Sequence, residues 1–194
     1  MSSADLNRRD FARRGLLAGG AAFAAAAVPA AFGAASAFGQ ADADTSDTDS
    51  EILVGLIGFE QQTVLGYEAA IASATLGDVQ AAAVTFAGEE RAHAKALIDA
   101  LAEIGGEPLP APQADGVPGL TQAKTREDYL NFLIASENQL VAAYLEGQKE
   151  MGAADLLTLS AENCVNVGQH LVTLRQALGA DPLPSALPSG SEKK

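Results

Sequence analysis

Moved along itself by 77 residues, the chain meets its own pattern without a gap. Leu53, Leu56 and Ile57 fall on Leu130, Leu133 and Ile134. Glu60 falls on Glu137, Gln62 on Gln139, Val64 on Val141 and Tyr67 on Tyr144. Asp78 falls on Asp155, His93 on His170, Leu97 on Leu174, and Ala100-Leu101 on Ala177-Leu178, giving 12 identities between residues 53 and 101. Chance in so Ala- and Leu-rich a chain would give roughly three or four. One unit therefore occurs twice, and the fold must accommodate two copies of it.

The unit is a helical hairpin. Leu53, Leu56, Ile57, Val64, Tyr67 and Ile71 recur at three- and four-residue steps, which places them on one stripe of a helix. Thr48-x-x-Glu51 has the form of a capping box and predicts the start of that helix. Gly77-Asp78 interrupts the chain, and a second helix is expected to run to about Ile104, where Gly105-Gly106 and Pro108 stop it. A third helix is expected from near Thr125 to near Gly152, and a fourth from near Asp155 to Gly179. Between the hairpins, residues 105–124 hold four prolines and four glycines. A connection of that length can run the length of a bundle. The expected fold is all-α, a four-helix bundle over residues 49–180, with a flexible tail over 181–194.

The segment ahead of the bundle reads as an address. Asn7-Arg8-Arg9-Asp10-Phe11-Ala12-Arg13 resembles a twin-arginine export signal. It is followed by an Ala-, Gly- and Leu-rich stretch over 15–37, with Ala35-Ser36-Ala37 as a small-residue cleavage site. Pro29 and the weak hydropathy of Ala and Gly favour a signal over an anchor, so membrane contact is expected only through this segment if it stays uncleaved. The resemblance implies export to a periplasmic, cell-envelope or extracellular location, commonly of an already folded protein. Residues 38–48 read as an acidic linker. Residues 38–194 carry eight basic and 23 acidic side chains, a balance that repels phosphate backbones and argues against nucleic-acid binding. Cys164 is the only cysteine, so neither an intrachain disulfide nor a thiolate zinc cluster is available. The sequence gives no oligomeric state.

Chemistry enters through acids placed on an apolar stripe. Glu60 lies one turn from Ile57 and from Val64, and Glu137 lies between Leu133 and Val141. A buried carboxylate is costly without a charged partner, and few basic residues are available, so a bound cation is the natural partner. In the next helix Glu90 and His93 are three residues apart and share a face. Glu60, Glu90, His93, Glu137 and His170 are thus expected to meet in one interior zone. Carboxylate and imidazole donors suit iron or manganese.

This pattern resembles the ferritin-like superfamily of di-iron carboxylate four-helix bundles. Those bundles use one Glu from each of two helices and a Glu-x-x-His from each of the other two. The matching residues are Glu60, Glu90-Arg91-Ala92-His93, Glu137 and Val167-Gly168-Gln169-His170. The resemblance implies iron, or manganese, at one or two ions per chain, with ferrous oxidation or peroxide consumption as the implied activity. The departure is Val167, where both the family pattern and the repeat expect Glu. Its presence leaves open a single ion, an asymmetric pair, or a lost site in a non-catalytic scaffold or stress-associated interaction protein. Asn163 and Cys164, close to the same face, are candidates to replace the missing acid. Tyr67 and Tyr144, each two turns beyond a ligand Glu, are expected as core aromatics or as hydrogen-bond donors to ligand carboxylates. Glu89, about 100° around the helix from Glu90, is expected in solvent, as is Glu162. Gln62 and Gln139 are expected as packing or interface groups.

Overall fold

The computed structural model describes residues 43–186 and 188–190. Four long helices make up the bundle: α1 Ala43–Ser73, α2 Gln80–Glu103, α3 Arg126–Gly147 and α4 Ala154–Leu178. No strand occurs among the described residues. α1 packs on α2 and α3 on α4 within the hairpins, α1 packs on α3 between them, and α2 meets α4 more sparsely. The expected signal segment and cleavage site, and the first part of the expected linker, lie outside the described residues.

The helix ends follow local chemistry. Thr125 caps α3 in a capping box, its hydroxyl accepting from the Asp128 backbone N–H while Asp128 accepts from the Thr125 N–H. α4 stops where Gly179 takes a left-handed conformation, φ 78°, which costs glycine no Cβ clash. α3 ends at Gly147, five residues before the expected Gly152, and residues 148–150 form turns.

The first helix departs from expectation. It begins at Ala43, so Thr48 lies inside it and residues 43–48 of the expected linker are helical. A tertiary contact supplies the reason. Asp49 is buried and accepts from the backbone N–H groups of Gly152 (2.8 Å) and Ala153 (3.2 Å), just ahead of α4. That bond fixes the first turns of α1 against the opposite hairpin. Gly190, at φ 76°, lies so close to α3 that a Cβ there would meet Asn138 O at 2.2 Å.

Two clasps hold the bundle's ends. Asp49 joins α1 to the α3–α4 turn. At the other end Arg126 donates to Leu76 O, Ala177 O and Asp78 Oδ1, joining the start of α3 to the α1–α2 turn and the last turn of α4. Between them the core contains Leu53, Leu56, Ile57, Tyr67, Leu97, Leu130, Leu133, Ile134, Tyr144 and Leu174. Val64 and Ile71, expected on the stripe, are only partly buried. No described helix is long and apolar enough to cross a membrane.

Candidate metal centre

The same stripe that builds the core carries acids into it. Glu60 on α1, Glu90 on α2 and Glu137 on α3 each have 0% of their surface exposed, as does His170 on α4. His93, one turn beyond Glu90, keeps 11% of its side chain accessible. All five side chains expected to meet do meet.

They form two overlapping groups. Glu60, Glu90 and His93 each offer a donor atom within 4.8 Å of the others, and so do Glu90, Glu137 and His170. Glu90 belongs to both. His93 Nδ1 lies 3.3 Å from Glu90 Oε2 and 3.6 Å from Glu60 Oε1. His170 Nδ1 lies 2.7 Å from Glu90 Oε1 and 3.2 Å from Glu137 Oε1.

Tyrosines complete the carboxylate environment in a crossed pattern. Tyr67 of α1 donates to Glu137 Oε1 of α3, and Tyr144 of α3 donates to Glu60 Oε1 of α1. The sequence repeat thus returns as reciprocal hydrogen bonds between hairpins. Asn163 turns its amide to the Tyr144 hydroxyl at 3.1 Å. Cys164 is half-buried, and burial pushes its thiol pKa up.

Glu89 keeps 40% of its side chain exposed, yet it makes a contact that was not expected: its Oε2 lies 2.7 Å from Nε2 of the buried His170. Rotation about α2 alone pointed it outward. The crossing of α4 brings His170 to that neighbouring face, a contact no single-helix projection contains. A signal was nonetheless present, since 89 and 166 are repeat-related and both polar, Glu against Asn. Glu162 is exposed, as expected.

The protein's own groups leave the three carboxylates poorly satisfied. Glu60 Oε2, Glu90 Oε1 and Glu137 Oε2 are buried without a hydrogen bond, although His170 Nδ1 is near Glu90 Oε1. Burial, and then Glu90 beside it, raise the Glu60 pKa well above the usual carboxylate range. Burial also raises Glu137, against the opposing pull of His170 and Tyr67. For the imidazoles, burial favours the neutral form but the acids outweigh it. Glu60 and Glu90 bring His93 up to about 9, and Glu137 and Glu90 bring His170 up to about 10. Burial pushes both tyrosines well above their ordinary range. Orphaned buried oxygens beside imidazole nitrogens are the donor set a divalent cation needs, so the residues fit one.

A family comparison agrees with this geometry. The model of the ferritin-like domain matches residues 30–180. The chain belongs to the ferritin-like domain family. No curated protein and no solved structure matches it. Within this ferritin-like bundle, the position expected to hold a sixth ligand is Val167, fully buried in the apolar core. Its repeat counterpart, Glu90, belongs to both groups.

Proposed function

We propose that this is an exported ferritin-like metal-binding protein, with iron as the metal of first choice and manganese the alternative. Two overlapping, buried carboxylate–imidazole triads that share Glu90 carry this reading. Glu60, Glu90 and His93 would hold one ion, and Glu90, Glu137 and His170 the other. Bound iron would supply one-electron redox chemistry toward dioxygen or peroxide. The protein's own part is to hold the charges and exclude water. Tyr67 and Tyr144 orient Glu137 and Glu60, and burial keeps water from the carboxylates. The arginine pair Arg8-Arg9 and the apolar stretch behind it support export.

Val167 favours a second reading, in which the bundle holds metal weakly or serves as an interaction scaffold without fast oxidation. An apolar side chain stands where an efficient two-metal site expects an acid. Metal per chain decides between the readings. The protein and a Val167→Glu variant would be loaded anaerobically with Fe(II), desalted, assayed and exposed to oxygen. We expect the natural protein to retain iron and the variant to retain more. Retention of two ions with rapid oxidation in the natural protein would establish the oxidase. Failure of both proteins to retain Fe(II) or Mn(II) would leave the scaffold. For export, replacing Arg8 and Arg9 by Lys should hold the protein in the cytoplasm; an unchanged distribution would refute the twin-arginine route.

A further inference from the structure

Where α2 and α4 face the site, the two copies of the repeat carry different side chains. Phe86, Glu89 and Glu90 of α2 correspond to Asn163, Asn166 and Val167 of α4. Glu90 serves both triads. The changes at the other two positions favour one triad over the other.

Glu89 addresses only His170. Its Oε2 sits at Nε2 of that ring, 2.7 Å away, while Nδ1 faces Glu90 and Glu137. A carboxylate on the outer nitrogen keeps the proton there and leaves the Nδ1 lone pair directed into the site. It also makes that nitrogen a stronger donor to a cation. The repeat counterpart of Glu89 is Asn166, which carries no charge and whose Oδ1 is buried without a hydrogen bond. Position 86 acts in the same direction. Asn163 donates to Tyr144, and a hydroxyl that accepts one hydrogen bond donates its own more strongly, drawing charge from Glu60. Phe86 has no amide to offer Tyr67. Its ring instead stacks on His170, with centroids 4.1 Å apart, and fixes that imidazole.

We propose that the two metal positions are ranked. The Glu90–Glu137–His170 position takes a divalent cation more tightly and fills first, with Glu89 as the positioning residue for His170. The Glu60–Glu90–His93 position is the weaker and more readily exchanged. The ranking rests on the metal-binding reading above, and it assigns the tighter position to the helix that carries Val167.

Titration of the full chain with Co(II), followed by calorimetry and by the d–d absorbance of the bound ion, tests this. Two steps are expected. His170→Ala should remove the tighter step and His93→Ala the weaker. Glu89→Ala should weaken the tighter step by about 10- to 100-fold and leave the weaker within about 2-fold, the range for losing an outer partner of a ligand histidine. Glu89→Gln, which keeps a hydrogen-bond acceptor but not the charge, should fall between Glu89→Ala and the natural protein. A merely structural role for Glu89 would not move the hyperfine-shifted imidazole N–H signal of His170 in the Co(II) protein. We expect that signal to exchange faster with water in Glu89→Ala. Loss of the tighter step in His93→Ala or equal weakening of both steps in Glu89→Ala would overturn the ranking. No Co(II) binding by the natural protein at millimolar metal would instead overturn the metal-binding reading itself.

Discussion

The α1–α2 hairpin and the α3–α4 hairpin share a plan but not a chemistry. Each contributes a buried Glu, a Tyr that reaches across to the other hairpin's Glu, and a His near the end of the site. α2 adds Glu89 and Glu90, whereas α4 has Asn166 and Val167 at the corresponding positions. Most of the anionic charge therefore comes from one side, and the His170 it surrounds belongs to the other. Similar backbones hold two unequal half-sites, and the inequality resides in one turn of helix.

The largest effect should come from the residue the halves share. Glu90→Ala is expected to weaken both metal-binding steps by more than about 100-fold, the upper end of what loss of an outer-shell partner costs. Retention of either step at natural affinity would show that the triads do not depend on a common ligand.

A pH series separates the metal-free from the loaded protein. The folded-state pKa values of Glu60, Glu137, His93 and His170 are all raised. The folded state therefore binds more protons than the unfolded chain, and stability falls as pH rises. For the histidines the contribution is complete below about 6.5 and is lost through about 9 for His93 and about 10 for His170. The metal-free protein should melt progressively lower across that interval. Metal, which displaces those protons, should raise the melting temperature most at the alkaline end. Parallel melting curves with and without metal would contradict this.

The tyrosines should show the asymmetry in stability. Tyr67→Phe removes one hydrogen bond to a buried carboxylate, a loss of about 1.5–3 kcal/mol by denaturant unfolding at a pH where Glu137 is ionised. Tyr144→Phe should cost more, because it also leaves the Asn163 amide without its acceptor. Equal losses would mean that Asn163 finds another partner. The smallest effect concerns the interface between hairpins. A Cβ on Gly66 would lie 2.4 Å from the Phe132 ring, whereas the repeat counterpart is Ala143. Overpacking there should exceed the helix-propensity gain, leaving Gly66→Ala about 1 kcal/mol less stable. A rise in melting temperature would show that Phe132 yields freely.

The four helices and the five donor side chains were legible because both follow from periodicity. Acids at core positions stand out against leucines, and the repeat tells which histidines belong with them. What the sequence concealed depends on neighbouring helices. The contact of Glu89 with His170 was hidden because α4 is absent from a projection of α2. The early start of α1 was invisible because it is held by Asp49 bonding residues 152 and 153, about a hundred positions away. Val167 was readable as a missing acid, but that its counterpart Glu90 joins both triads needed the placement of four helices.

The crossed Tyr–Glu bonds bear on how the chain assembles. Glu60 and Glu137 each have an imidazole from their own hairpin nearby, but the phenol that donates to each belongs to the other. A half-formed bundle would carry an exposed acid on one surface and an unmatched hydroxyl on the same surface. Docking of the hairpins settles both grievances at once, which couples the two halves into a single cooperative unit. A chain severed within residues 105–124 would still hold, in each fragment, the complement the other fragment lacks.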